Sequence, residues 1–303
     1  MPDQSPPAAT KAAASEAAAS VARLLALLDV EPLDADRFRG QSTDAGWQRV
    51  YGGQVIAQAL MAASKTVPPE RLCHSLHAYF LRPGDPKQPI DYAVTRDRDG
   101  QSFTTRRIVA SQHGRAIFTM AASFQVEEAG LEHSVAVPAV TPPALLPSEA
   151  ELAHRHADRT PEPFRTLWRN RDRPIEFRPV EPGDPFDPVK SAPRSHHWFR
   201  LADPVTVAPA VARALLAYAS DMTLLDTCLL PHGVAWSDPA LQVASLDHAL
   251  WFNTTPDLND WLLFAQDSPV SGGARGLNRG LITSSSGAPV ASVVQEGLIR
   301  YRQ

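Results

Sequence analysis

The sequence predicts an α+β protein made of two repeats, each a long helix wrapped by a curved antiparallel sheet. Three observations carry that reading. A glycine pair, Gly52-Gly53, opens a strongly helical run that Pro68-Pro69 stops. Four β-rich runs follow, separated by Pro83-Gly84-Asp85, Asp99-Gly100 and His113-Gly114, the turn chemistry of an antiparallel meander. The pattern then returns. His77-Ala78-Tyr79-Phe80-Leu81 matches His248-Ala249-Leu250-Trp251-Phe252 at an offset of 171 (248 − 77), and Gly114-x-x-Ile117 matches Gly287-x-x-Val290 at 173 (287 − 114).

Taken in order, Met1 to Ala19 is rich in alanine and proline and reads as a flexible tail, followed by a short apolar helix over Ser20 to Val30 and a strand near Asp36 to Gly40. In the run after the glycine pair, Val55, Ile56, Ala59, Leu60 and Ala63 make a broad apolar face, with Gln54, Gln58, Met61 and Lys65 opposite. Such a helix needs a sheet around it, and His74 to Leu81, Ile90 to Arg96, Ser102 to Gln112 and Arg115 to Val126 supply one. From Val135 to Arg194 prolines recur every few residues; Ser148 and Glu151 stand as a capping box for a short helix in this crossing. Ile175 to Val180 and His197 to Leu201 open the second unit. Its helix is expected over Ala208 to Thr227, where Val211, Leu215, Tyr218, Met222 and Leu225 form a core stripe.

At 303 residues the chain can bury a substantial core, and its net charge of −4 supplies no basic field for nucleic acid or an anionic membrane surface. No apolar run is long enough to cross a bilayer, and the first residues lack the basic and apolar regions of a secretory signal. Cys73 and Cys228 lie far apart in apolar runs, which suits reduced core thiols in a cytoplasmic protein.

Three polar side chains stand where the core is expected. On the last strand, Val290 to Arg300, one face carries Ala291, Val293, Gln295, Gly297 and Ile299. A carboxamide on that row needs partners, because burying it unpaired costs on the order of a kilocalorie or more. Asp221 sits on the row of Ala214, Ala217 and Leu224 of the second helix. Ser245 lies on the strand Val243 to Asn253, sharing a face with Asp247, Ala249 and Trp251 in strict alternation. The repeat acts as an internal control. The counterpart of Gln295 is Ala122, on the wholly apolar row Phe118, Met120, Ala122, Phe124 and Val126, and the counterpart of Ser245 is His74. A carboxylate, a hydroxyl and a carboxamide can together hold a water and aim it at a carbonyl, with Asp221 as general base and N–H groups at a helix start for the oxyanion. The alternative is that Asp221 caps a helix or pairs with a cation and that Ser245 is an ordinary strand residue.

Longer stretches carry a resemblance. Phe38-Arg39-Gly40-Gln41, Val50-Tyr51-Gly52-Gly53-Gln54-Val55, the run from His74 to Asp85, Asp99-Gly100-Gln101-Ser102-Phe103, Tyr218-Ala219-Ser220-Asp221, Leu246 to Phe252 and Val290 to Gly297 resemble the type II acyl-CoA thioesterases. The resemblance spans nearly the whole chain after the tail. It implies a double hotdog, with a tail over 1–19, an N-terminal hotdog over 20–130, a Pro-rich linker with a short helix over 131–172 and a C-terminal hotdog over 173–303. It also implies hydrolysis of fatty acyl-CoA to a free fatty acid and coenzyme A, with Asp221, Ser245 and Gln295 activating the water and no cofactor or metal. A homo-oligomer is implied as well. Two positions depart from the family pattern: Ser245 stands where Thr is common, and Asn253 where His is frequent.

Rival readings are an enoyl-CoA hydratase of the same fold and an acyl-CoA-binding protein with a decayed site. The first pairs an Asp with a His on the helix, and no His lies in Ala208 to Thr227. His154-x-His156 and His196-His197 lack the thiol or acidic neighbours of a metal site. His74 is a minor catalytic candidate. The absence of G-x-S-x-G argues against a serine esterase. Arg82, Arg96, Arg106, Arg107, Arg275 and Arg279 are the cations nearest the expected pocket strands, candidates to meet coenzyme A phosphates where they are not simply solvated, and Gly52-Gly53 is expected to serve close helix–sheet packing rather than oxyanion binding.

Overall fold

The computed structural model describes residues 8–43, 48–162, 165–166 and 171–302. Helix α1 (Ala8–Leu28) leads into β1 (Glu31–Pro32), β2 (Arg37–Gly40), helix α2 (Gly52–Ser64), β3 (Leu72–Phe80), β4 (Ile90–Asp99), β5 (Phe103–Gln112) and β6 (Arg115–Gln125). Helix α3 (Glu149–Arg155) lies in the Pro-rich region and opens on the expected capping box, Ser148 with Glu151. Then come β7 (Ile175–Pro179), β8 (Arg194–Leu201), helix α4 (Pro209–Ser220), a 3₁₀ turn over Leu224–Leu229, β9 (Leu241–Ser245), β10 (Asp247–Phe252), β11 (Leu262–Gly272), β12 (Arg275–Ser284) and β13 (Pro289–Tyr301).

The strands form one sheet in the order β1-β2-β4-β5-β6-β3-β10-β13-β12-β11-β8-β7, with β9 also on β13. Each half contributes a meander, β4-β5-β6 or β11-β12-β13, plus one strand that crosses to the far side of it. The Pro83-Gly84-Asp85 turn therefore links strands that are not neighbours, unlike the simple meander expected from turn chemistry. The crossing strands β3 and β10 pair with each other, Leu76 opposite Leu250 and Ala78 opposite His248, and this pairing joins the halves. Helices α2 and α4 bury Ile56, Ala59, Leu60, Ala214, Leu215 and Ala217 in the core.

Three expectations change. Residues 1–19 are not a tail throughout, because α1 is helical from Ala8; residues 1–7 lie outside the described residues. Alanine loses no side-chain entropy in a helix, so the run extends the turn that buries Val21, Leu24 and Leu28. The face of α2 opposite its apolar stripe is buried too. Gln58 is satisfied by donating to the carbonyls of Leu27 and Gln41 and accepting from the Tyr92 hydroxyl, and Gln54 donates to Gln41. The helix expected over Ala208 to Thr227 stops at Ser220. Asp221 is its C-cap at φ −91°, ψ −2°, and the apolar spacing continues only because the following 3₁₀ turn buries Leu224 and Leu225 as well.

The repeat also changes register by one residue. Leu76 lies opposite Ala122, and Leu250 opposite Val293. With Ala122 matched to Gln295 and Met120 to Val293, the strand β3 maps onto β10 at an offset of 172 rather than 171, so Ala78 matches Leu250 (250 − 78). One residue reverses the face of every side chain on a strand. The offset of 172 holds on both sides of a local irregularity, since Cys73 matches Ser245 (245 − 73) as Ala78 matches Leu250. Strand β3 is bulged between Cys73 and Ser75, and the partners on β13 slip by one between Ser245 of β9 and Ala249 of β10. Both copies thus carry an irregularity at the same place, around His74 and Leu246. The counterpart of Ser245, opposite Gly297, is Cys73, opposite Phe124.

Candidate active site

The slip at Leu246 decides what faces what. Strict alternation puts Ser245 with Asp247 and Trp251, but the extra residue turns it onto the inner face with His248, Leu250 and Phe252. Gly297, which pairs with Ser245, shares that face with Gln295 on β13. On the same row His248 and Gln295 are both fully buried.

These side chains close a hydrogen-bonded cluster around Asp221. Gln295 Nε2 donates to Asp221 Oδ1 at 2.5 Å and lies 3.3 Å from His248 Nδ1, while His248 Nε2 is 3.0 Å from Ser220 Oγ. Ser220 Oγ donates to the Ala217 carbonyl at 3.0 Å. One proton arrangement satisfies every contact: His248 carries its hydrogen on Nε2 and gives it to Ser220, leaving Nδ1 to accept from Gln295. Burial supports a neutral ring by pushing the His248 pKa down to about 3. The carboxamide then cannot flip, since its oxygen would face a carboxylate and an imidazole lone pair. Gln295 Oε1 is consequently the buried atom of this cluster left without a protein partner among the described residues.

Asp221 sits at the negative end of α4, against the start of α2. The Gly53 N–H donates to it, Gly53 packs so close that a Cβ would lie 2.4 Å from the Tyr218 carbonyl, and Tyr51 reaches the same carbonyl at 2.8 Å. A Cβ on Gly52 would fall 2.7 Å from Asp221 Oδ2 and 2.9 Å from Phe80 Cζ. The glycine pair therefore serves the approach of α2 to α4 as well as to the sheet. Desolvation raises the Asp221 pKa from the ordinary 3.8 to about 6, with the Gln295 and Gly53 N–H groups pulling the other way. The side chain is 5 % exposed, which agrees with desolvation as the leading cause.

Beside this cluster, with Gly52 between it and Asp221, opens a cleft of about 230 Å³ lined by Gly52, Phe80, Ser245, Arg49, Arg82 and neighbours; Asp221, Gln295 and His248 lie behind that lining. Asp221 and Gln295 are joined directly. Ser245 borders the cleft beside them, but its hydroxyl hydrogen-bonds neither. His74 does not belong to this set: its Nε2 bonds Ser123 Oγ at 2.8 Å. The sequence reading does not single out His248, although it alternates in phase with Leu250 and Phe252 and is buried with them. With Leu76 as the counterpart of His248 in the other copy, His248→Leu is expected to keep the fold while freeing the Gln295 carboxamide. Steady-state kinetics should then show kcat about tenfold lower at unchanged KM.

Comparisons with known proteins agree over most of the chain. Residues 42–125 match the family profile described as acyl-CoA thioesterase N-terminal domain, and residues 166–298 match that of acyl-CoA thioesterase. The chain is 39% identical over 280 residues to acyl-CoA thioesterase 2 of Haemophilus influenzae, covering 92% of this chain and 98% of that protein. It is 37% identical to human acyl-coenzyme A thioesterase 8, covering 91% and 88%. The crystal structure of an acyl-CoA thioesterase II from Mycobacterium marinum superposes with a TM-score of 0.76 at 40% identity, over 92% of this chain and 99% of that one. A hot dog fold protein from Alicyclobacillus acidocaldarius, at 20% identity and a TM-score of 0.73 over 93% of this chain and 99% of that one, shares the fold. The architecture is a double hotdog.

Proposed function

The chain belongs to the acyl-CoA thioesterase family and is a thioester hydrolase, and from that premise we propose that it cleaves fatty acyl-CoA by direct attack of a water held between Asp221 and Gln295. The observation that carries this is the locked carboxamide. Its N–H groups are spent on Asp221 and His248, and its buried Oε1 is left to accept from a water whose other hydrogen faces Asp221. Asp221 takes the proton as the water oxygen bonds to the thioester carbon, and the C–S bond then breaks to release the fatty acid and the coenzyme A thiolate, which takes up the proton. For the oxyanion the first turn of α2 offers N–H groups that its N-cap Tyr51 leaves without a side-chain partner, apart from that of Gly53, which serves Asp221. Ser245, on the cleft wall, orients the same water.

The mechanism uses no metal or cofactor. We read the protein as cytoplasmic, because both cysteines are free, buried thiols, and as a homo-oligomer, because Tyr79 and Trp251 stand exposed on the outer face of the central strands. Following free-thiol release from an acyl-CoA series of increasing chain length tests the activity; no release from any member would refute it. A binding protein with a decayed site is disfavoured by the 2.5 Å contact between Asp221 and Gln295.

Gly52 gives a second handle on the water. Its missing side chain leaves open the space beside Asp221 Oδ2, and alanine is otherwise well tolerated at a helix start. Gly52→Ala is expected to lower kcat at least 10²-fold with an unchanged near-UV circular dichroism spectrum.

A further inference from the structure

A second cleft, of about 260 Å³, opens at the start of α4, and it is the repeat's copy of the catalytic one. Thr206, Val207, Pro209 and Ala212 stand there where Arg49, Val50, Gly52 and Val55 stand in the first, at a constant offset of 157 (207 − 50). Thr255, Pro256 and Asp257 likewise replace Arg82, Pro83 and Gly84 at 173 (256 − 83). This cleft lacks the reactive groups beside it: at the same offset of 157 Ser64 stands for Asp221 (221 − 64), and Ala122 and Cys73 replace Gln295 and Ser245. The molecule thus carries its own control, one cleft with the reactive groups and one without.

What else differs between the two is charge. Both cationic positions of the catalytic rim, Arg49 and Arg82, become threonine in the silent cleft, and the neutral Gly84 becomes the carboxylate Asp257. We propose that Arg49 and Arg82 form the subsite that binds the phosphate groups of the coenzyme A portion of the substrate, an inference that rests on the acyl-CoA reading above.

The two side chains are anchored but not neutralised. Arg49 Nη2 donates to the Val243 carbonyl at 2.8 Å, and Arg82 Nη1 to the Ala116 carbonyl at 2.6 Å. Neither is paired with a carboxylate among the described residues. The other cations expected near the pocket are: Arg96 with Asp36, Arg106 with Asp99, Arg107 with Asp97, Arg275 with Glu296 and Arg279 with Asp267. A guanidinium held by one N–H keeps its remaining donors for an incoming anion, and its planar fork suits phosphate oxygens. The segments carrying the two arginines are tied together, since Val50 N–H donates to the Gly84 carbonyl at 3.0 Å. Both therefore stand on one cleft, whose Gly52 and Ser245 border the Asp221–Gln295 pair where the thioester must lie. The phosphates are the anions of a simple acyl-CoA, and pantetheine separates them from the thioester, so the two arginines and that pair match the two ends of the molecule.

The test compares two thioesters of the same acyl chain, acyl-CoA and acyl-pantetheine, which lacks every phosphate. In Arg49→Gln and in Arg82→Gln, the ratio of kcat/KM for acyl-CoA to that for acyl-pantetheine is expected to fall about tenfold against wild type. General damage to the cleft would lower both rates together, so a ratio equal to wild type in either variant overturns the assignment while leaving the hydrolase reading intact. Wild-type protein releasing no thiol from either compound would overturn both.

Discussion

Asp221→Asn will lower kcat by about 10³-fold and make the protein more stable at neutral pH. The first effect follows from removing the group that takes the water's proton. The second follows from what burial does to that group. Raising its pKa from 3.8 to about 6 corresponds to roughly 3 kcal/mol. Below pH 3.8 the carboxyl is protonated in folded and unfolded chains alike. Between 3.8 and 6 the folded protein keeps a proton the unfolded chain has released, so stability contributed by this group falls as pH rises, and above 6 the full penalty is present. Asparagine is neutral throughout and can still accept from Gln295. Urea unfolding of wild type and variant should therefore differ little near pH 4 and by about 1 to 3 kcal/mol at pH 8, in favour of the variant. An Asn variant less stable than wild type at pH 8 would show that the carboxylate is structural. The same pKa sets an acid limb near pH 6 in the wild-type kcat profile, with activity lost below it.

Gln295→Ala will cost about 10²-fold in kcat and will move that acid limb upward. Two causes operate in one substitution. Loss of Oε1 leaves the water held from one side only. Loss of the Nε2 donor removes a hydrogen bond that favours the charged carboxylate, so the Asp221 pKa rises further. Gln295→Glu gives a sharper contrast. It sets a second carboxyl within 2.5 Å of the first, so the two will share a proton and titrate as a pair, with one apparent pKa well above 6. A kcat profile for either variant with its limb still near 6 would refute the contact as a determinant of the base.

How far the site is legible in the sequence depends on the kind of regularity each residue breaks. Gln295 is legible because β13 alternates without interruption, so a carboxamide on an apolar row is visible by counting in twos. Asp221 is legible for the same reason on a helix, although its role as the last residue of that helix is not: the apolar spacing runs on through the 3₁₀ turn, and counting cannot see the break. Strict alternation places Ser245 on the wrong face. The irregularity at Leu246 is a property of backbone pairing, and nothing in the local composition announces it. His248 is hidden by the offset of 171, which equates it with the exposed His77 rather than the buried Leu76. Arg49 was invisible for another reason. The cleft rim is assembled from segments far apart in the chain, as its bond to Val243 shows, and no spacing rule brings them together. The fold is more legible than the site, because turns and periodicity are local while the crossing of β3 past its meander is not.

The pairing of β3 with β10 within one chain has a consequence for how such a molecule can change. Two identical subunits related by a two-fold axis would receive every substitution twice, once in each cleft. A serine in place of Asp221 in one would be a serine in both. Covalent fusion lifts that constraint, so one cleft can keep its acid and its cationic rim while the other drifts to threonines and an aspartate. The silent cleft is then a surface on which mutations are screened only for their effect on folding, and a second specificity could arise there without disturbing the first.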